Sequence, residues 1–104
     1  GENIFVLKRK QLLTPPPYIG VLRAITRQTV MELGRRLRLD VREELLTRHD
    51  LFNAEEVFLT GTAAEIVPVV KIDGRVIGGG TPGPVTKALK GRFRTLTKTA
   101  GVRY

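Results

Sequence analysis

A short β-favouring run near the middle of the chain constrains the fold most. Glu56-Val57-Phe58-Leu59-Thr60 carries no polar–apolar alternation across its centre, which is typical of a strand buried on both faces. Gly61 ends the run, and the small-residue corner Thr62-Ala63-Ala64 follows it. The sequence therefore predicts a buried strand that opens into a tight corner with exposed backbone N–H groups.

The segments before this strand predict a hairpin, a helix, a further strand and a short helix. The hairpin joins Asn3–Leu7 to Gln11–Thr14 and ends at three prolines. Val30, Leu33 and Leu37 form one apolar helical face, which predicts a helix over Thr26 to Arg38 with Thr26 as N-cap. Asp40 to Leu46 predicts a half-buried strand with Val41, Glu43 and Leu45 on one side. Thr47-Arg48-His49-Asp50 has the residue pattern of a helix start.

The segments after the buried strand complete an α+β pattern. Ile66 to Ile72 predicts a strand, Asp73-Gly74 a tight turn and Val76-Ile77 the return strand. Gly78-Gly79-Gly80 lacks the spacing of a phosphate-binding motif and predicts a turn. A last helix is marked by its apolar positions Val85, Leu89, Phe93 and Leu96. This order of elements favours an α+β fold with a mixed sheet over regular βαβ winding.

Composition excludes several classes of protein. The chain has 104 residues, no cysteine and one histidine, so it is one domain without disulfides or a cysteine-ligated metal. Its apolar runs are too short to cross a bilayer. Its first residues lack the order of a secretory signal, so we expect a cytoplasmic setting and no membrane partner.

The net charge of +8 raises the question of nucleic-acid binding. The basic residues are spread over three places, and aromatic residues do not alternate with them as base stacking would require. Lys87, Lys90 and Arg94 recur at helical spacing opposite the apolar positions, which indicates a solvated helix face. Nucleic acid is therefore not an expected partner.

Several residues could carry chemistry, although each has an ordinary structural explanation. Ile25-Thr26 at a helix start and the corner Thr60-Gly61-Thr62-Ala63-Ala64 could each hold an anion. Glu2 precedes an apolar strand and is uninformative alone. For His49 the sequence favours a surface position, and for Glu65 an ion pair at a strand edge over proton transfer.

Taken together, blocks of residues resemble the C-terminal part of the class IV, pyridoxal-phosphate-dependent aminotransferases. The likeness extends from Gly1 to about Phe93 and is closest to branched-chain amino acid aminotransferases, because the last helix begins with Gly-Pro-Val-Thr. It implies the C-terminal, large, cofactor-binding portion of a fold-type IV aminotransferase. The blocks are Gly1-Glu2-Asn3-Ile4-Phe5, Thr14-Pro15-Pro16, Ala24-Ile25-Thr26-Arg27, Glu56 to Glu65, Ile72-Asp73-Gly74-Arg75 and Gly83-Pro84-Val85-Thr86.

The resemblance implies roles for particular residues. Glu2 is expected at the pyridine nitrogen of pyridoxal 5′-phosphate, where a carboxylate keeps the ring protonated. Ile25, Thr26 and Thr62 are expected to bind the cofactor phosphate. The Thr62-Ala63-Ala64 turn is expected to hold the α-carboxylate of the substrate. Ala24 departs from the family pattern, which has glycine there, and would be strained if that position needed a positive φ.

The resemblance also implies what the intact enzyme does. We expect amino-group transfer between leucine, isoleucine or valine and 2-oxoglutarate in a homodimer. The Schiff-base lysine of the family precedes the position of Glu2, so residues 1–104 are expected to be a partial C-terminal domain. Such a fragment, without the lysine region and the N-terminal part of the enzyme, is expected to be inactive alone.

Two other interpretations stay open. One keeps the fold but changes the reaction to that of a D-amino acid aminotransferase or an aminodeoxychorismate lyase. The other is a basic, non-catalytic binding module that reuses the fold.

Overall fold

The computed structural model describes residues 3–17, 24–61 and 65–100, and for residues 24, 25 and 98–100 it describes the backbone. Within these residues lies a five-stranded sheet of order β3-β2-β1-β4-β5, a separate two-stranded hairpin and three helices. The strands are β1 Asn3–Lys8, β2 Gln11–Thr14, β3 Asp40–Glu43, β4 Glu56–Thr60, β5 Ile66–Val69, β6 Lys71–Ile72 and β7 Arg75–Val76. The helices are α1 Ala24–Arg36, α2 Arg48–Phe52 and α3 Pro84–Ala100.

The strand β1 lies at the centre of the sheet and pairs antiparallel with both β2 and β4. Its hairpin to β2 turns at Arg9 and Lys10, which both have positive φ (51° and 65°). Positive φ at both residues of a two-residue turn gives it a twist that matches the right-handed twist of the flanking strands. The outer pair, β2 and β3, is parallel, so the sheet is mixed and the predicted α+β class is confirmed.

Two apolar clusters cover the two faces of the sheet. On one face, Phe5 and Phe58 stack with ring centroids 5.0 Å apart and pack against α1 and α3. On the other face, Val6 and Val57 pack with Leu13, Ala54 and Ile77. The predicted burial of β4 on both faces is therefore confirmed, because successive side chains of a strand point to opposite faces.

Four predictions about the boundaries of elements and the burial of residues are wrong. The strand predicted over Asp40 to Leu46 ends at Glu43, and Leu45 is 83% exposed. Leu96 of α3 is 41% exposed, because the contribution of α3 to the apolar cluster ends at Phe93. The predicted strand from Ile66 breaks after Val69. The helix α1 begins two residues before Thr26, so Thr26 lies inside the first turn and is not the N-cap.

The predicted start of α2 at Thr47 is confirmed in detail. The Thr47 side chain accepts a hydrogen bond from the Asp50 backbone N–H, and the Asp50 carboxylate accepts one from the Thr47 backbone N–H. This reciprocal arrangement is a capping box. His49 is exposed, as predicted, and Glu65 is exposed as well.

The Gly-Pro-Val-Thr segment at the start of α3 has a structural explanation. The buried carboxylate of Glu56 accepts hydrogen bonds from the backbone N–H groups of Val85 (3.1 Å) and Thr86 (2.7 Å). These are first-turn donors that have no partner within the helix. A Cβ on Gly83 would overlap Cδ of Glu56, so glycine leaves the space that this carboxylate occupies.

The basic residues Lys87, Lys90, Arg92 and Arg94 of α3 are all exposed, which confirms the predicted solvated helix face. A bilayer-crossing helix is absent from the described part of the chain, since none of its helices combines enough length with enough apolar character.

We predict that Gly83→Ala destabilises the protein. The new methyl group displaces the Glu56 carboxylate, which then loses its hydrogen bonds from the backbone N–H groups of Val85 and Thr86. This loss lowers the free energy of unfolding by about 1–3 kcal/mol. Gly91→Ala is the matched control, because nothing lies within 4 Å of its added Cβ. In the helix interior this control should raise stability by about 0.5–1 kcal/mol. Urea unfolding of both variants checks the pair, and equal effects would contradict the role of Gly83.

A second prediction concerns the pKa of Asp50. Hydrogen bonds from the Thr47 backbone N–H and hydroxyl lower the pKa of the Asp50 carboxyl below its usual value. Because the folded-state pKa is lowered, the capping box stabilises the fold at neutral pH and this stabilisation is lost as pH falls through that pKa. Thr47→Ala should raise the Asp50 pKa, as measured by carboxyl ¹³C shifts. The exposed Thr95→Ala should leave the Asp50 pKa unchanged. A pKa unmoved by Thr47→Ala would contradict the role of the Thr47 hydroxyl, which is the donor that this substitution removes.

Candidate functional site

One end of the sheet gathers segments that are far apart in the sequence. The register places Asn3 beside Thr60, and Thr60 beside Ile66, in one row across β1, β4 and β5. In the outer pair, Thr14 at the end of β2 lies beside Glu43 at the end of β3. The start of β1, the ends of β2, β3 and β4, and the start of β5 therefore share the same edge.

The first turn of α1 is fixed at this edge by Arg27. One guanidinium nitrogen, Nη2, donates to the carbonyl oxygen of Pro15 (3.0 Å) and to Oε2 of Glu43 (2.6 Å). The side chain of Arg27 is 1% exposed, whereas that of Glu43 is 41% exposed. This single buried cation ties the helix to the ends of β2 and β3.

The same turn has the properties of an anion-binding site. Backbone N–H groups at the start of a helix lack partners within the helix, and the helix dipole is positive there. The first turn of α1 holds no acidic residue that would compensate this charge. Thr26 lies in the turn, with 7% of its surface exposed.

Among the described residues, three buried polar atoms near this edge have no hydrogen-bond partner: Nε and Nη1 of Arg27 and Oγ1 of Thr60. Strand alternation places Thr60 on the same face as Phe58, which is the face that α1 and α3 cover. Thr14 offers a contrast, because its hydroxyl donates to the carbonyl oxygen of Ile4 at 2.8 Å. Buried polar groups are normally paired, so unpaired donors at one edge indicate a polar site.

The structure describes two of the six predicted site residues, Ile25 and Thr26. Glu2, Thr62, Ala63 and Ala64 are outside the described residues, but their neighbours Asn3 and Gly61 are described and lie at or beside the row of Thr60. Thr26 lies in the first turn of α1. Ile25 belongs to the same turn, and its side chain is outside the description.

The strain considered for Ala24 does not occur. Ala24 is the first residue of α1, and a helical residue has a negative φ, which alanine adopts without strain. Alanine therefore meets the backbone requirement at this position.

Sequence reasoning missed Arg27 and Glu43, whereas Thr60 begins the corner that it predicted as an anion site. A signal for Arg27 existed, because it lies three residues before Val30 and thus shares the apolar face of α1. A charged residue on a core-facing stripe needs a buried partner. Its partner Glu43 is 16 residues away and belongs to a different element, so no local pattern connects the two.

The polar edge of the mixed sheet lies beside a helix start whose first N–H groups have no partner within the helix, and such an arrangement can hold an anion. The family model for amino-transferase class IV matches residues 1–72. The chain therefore belongs to the class IV aminotransferase family.

Individual relatives agree with this assignment. The chain is 46% identical over 93 residues to the branched-chain-amino-acid aminotransferase of Escherichia coli K12, covering 89% of this chain and 30% of that protein. It is 44% identical over 102 residues to the D-alanine aminotransferase of Bacillus licheniformis, covering 96% of this chain and 36% of that protein. The chain thus spans about a third of the length of the curated relatives it matches.

Solved structures share the fold. The branched-chain amino acid aminotransferase of Escherichia coli superposes with a TM-score of 0.81 at 43% identity, over 92% of this chain and 32% of that one. The T.th. branched-chain amino acid aminotransferase, complexed with N-(5′-phosphopyridoxyl)-L-glutamate, gives a TM-score of 0.81 at 37% identity, over 99% of this chain and 34% of that one. The described fold is therefore the α+β fold of part of these enzymes.

We predict different effects on stability for two threonines at the sheet edge. Thr14→Val removes a hydroxyl that is hydrogen-bonded, which lowers the free energy of unfolding by about 1–2 kcal/mol. Thr60→Val removes a hydroxyl that is buried without a partner, so without ligand it should be neutral or stabilising by about 1 kcal/mol. Denaturant unfolding of the ligand-free protein compares them, and equal destabilisation would show that Thr60 is paired.

Proposed function

We propose that this chain is the C-terminal, cofactor-binding part of a pyridoxal-phosphate-dependent branched-chain amino acid aminotransferase. The observation that carries the proposal is the shared sheet edge, where Asn3, Thr60 and the first turn of α1 lie at one end of the sheet. Glu2 precedes Asn3, and Thr62 follows Thr60 by two residues. The connectivity thus favours a common ligand for Glu2, Thr26 and Thr62.

The residues present fit a phosphate-bearing cofactor. A phosphate needs several N–H and O–H donors and a positive local potential. The first turn of α1 offers N–H groups that have no partner within the helix and holds no acidic side chain, and the buried hydroxyl of Thr60 has no partner among the described residues. We therefore assign phosphate binding to the backbone of Ile25 and Thr26 and to the hydroxyls of Thr26 and Thr62.

Each assigned residue has a distinct task. When bound, pyridoxal phosphate supplies an electron sink for the α-carbon of the substrate. The Glu2 carboxylate would hold a proton at the ring nitrogen, because a nearby negative charge favours the protonated form of a base. The Thr62-Ala63-Ala64 turn would bind the substrate carboxylate through its N–H groups, and its small side chains would leave room for it.

The proposal extends to parts of the enzyme beyond these residues. The lysine that carries the cofactor in this family is assigned to a segment before Glu2, together with an N-terminal domain that completes the substrate pocket. We further propose a homodimer that works in the cytoplasm. Leucine, isoleucine and valine with 2-oxoglutarate are the proposed substrates.

A second candidate is transamination of D-amino acids. The 44% identity to a D-alanine aminotransferase favours it, and that relative matches 96% of the chain, compared with 89% for the branched-chain enzyme of Escherichia coli K12. Assays of the complete protein with L-leucine and with D-alanine distinguish the two substrates. Preferential turnover of D-alanine would overturn the branched-chain proposal while leaving the cofactor site intact.

We predict that a Thr26→Ala, Thr62→Ala double variant binds pyridoxal phosphate at least about tenfold more weakly, since it loses two hydrogen bonds to a charged group. Titration of the complete protein, followed by the absorbance of the cofactor, measures the affinity. Thr95→Ala is the control, because Thr95 is exposed on α3. Equal affinities of the double variant and the control would refute the phosphate assignment.

A further inference from the structure

Arg27 has an unusual environment for a buried arginine. Its side chain is 1% exposed, yet a single nitrogen makes both of its hydrogen bonds, while Nε and Nη1 have no partner in the part of the chain that the structure describes. Its counter-charge, Glu43, is 41% exposed, so the ion pair is neither fully buried nor fully paired. Such an arrangement stabilises a fold less well than an apolar side chain of similar volume would.

The position of Arg27 in the chain suggests another reason for its presence. It follows Thr26 directly, in the first turn of α1. Its two contacts reach the carbonyl of Pro15, just after β2, and the carboxylate of Glu43, the last residue of β3. Arg27 therefore connects three elements at the sheet edge and fixes where the backbone N–H groups of that turn lie.

Hydrogen bonds to a phosphate depend closely on such placement. The donor-to-acceptor distance must fall near 2.7–3.2 Å, and the bond weakens steeply away from linearity. If the helix start can shift by a few tenths of an ångström, fewer of its N–H groups reach the anion at a favourable distance and angle than when it is held in place. Donors held rigidly in advance lose less entropy when the ligand binds.

We propose that Arg27 is a positioning residue for the phosphate-binding turn, acting through its links to Pro15 and Glu43. This inference rests on the proposed function, because it takes the first turn of α1 as the phosphate site. It assigns Arg27 no contact with the cofactor. Its effect should appear only with ligands that carry a phosphate.

The test compares two ligands that differ in the phosphate alone, pyridoxamine 5′-phosphate and pyridoxamine. Neither has an aldehyde, so both bind without a covalent bond to a lysine. Calorimetric titration of the complete protein gives both dissociation constants. The dissociation constant of pyridoxamine divided by that of pyridoxamine 5′-phosphate measures the contribution of the phosphate, and this quotient is called the ratio below. Arg27→Met removes both links, Arg27→Lys retains a cation, and Glu43→Gln retains only a neutral acceptor.

The expected result is a ratio reduced by about tenfold in Arg27→Met, since misalignment of one hydrogen bond to a charged group has an effect of this size. Arg27→Lys should restore part of the ratio. The control is Asp40→Asn, which breaks an exposed ion pair with Arg42 on the same strand and should leave the ratio unchanged. Should Arg27→Met fail to fold, Glu43→Gln decides, and its ratio should fall several-fold.

Two outcomes overturn the inference. A wild-type ratio in folded Arg27→Met, or in Glu43→Gln if that variant decides, shows that the turn is placed without these links. An equal weakening of both ligands shows a merely structural role. Failure of the proposed function looks different, because the unmodified protein would then bind both ligands equally.

Discussion

The antiparallel pairing of β1 with β4 is the constraint on which the rest of the structure depends. Five consecutive residue pairs, from Asn3 with Thr60 to Leu7 with Glu56, fix the register at the centre of the sheet. The stacked rings of Phe5 and Phe58 pack on one face of this pair, and Val6 and Val57 on the other. A shift of one residue would exchange the two faces, so both apolar clusters hold this register.

This register also decides which polar groups meet. It places the start of β1 beside the end of β4, and the parallel pairing of β2 with β3 adds Thr14 and Glu43 at the same edge. The opposite edge of the β1–β4 pair holds the start of α3, because the Glu56 carboxylate there accepts hydrogen bonds from the first N–H groups of that helix. The sheet thus separates a carboxylate that anchors one helix from a cation that anchors the other.

Local rules predicted a large part of this fold. The β1–β2 hairpin, the buried strand β4 and the capping box of α2 follow from patterns of two to five neighbouring residues, and the structure confirms them. The errors concern features that depend on distant parts of the chain. Leu45 has the alternation of a half-buried strand but lies beyond the last residue of β2 that could pair with it, so it is exposed.

The candidate site also combines features that follow from neighbouring residues with features that depend on distant parts of the chain. Thr26 was predicted as an anion ligand from its type and its place near a helix start, and it does lie in the first turn of α1. The link between Arg27 and Glu43 could not be predicted, because it depends on the parallel pairing of β2 with β3. That pairing joins segments 29 residues apart and leaves no periodic signal.

The proposed cofactor site lies at this edge of the sheet, between the residue that precedes β1 and the first turn of α1. A crystal structure of the complete protein with pyridoxal 5′-phosphate tests this most directly. We expect the phosphate within hydrogen-bond distance of the Thr26 backbone N–H and the Glu2 carboxylate at the ring nitrogen. A cofactor bound away from this edge, or a ring nitrogen that faces another residue, would contradict it.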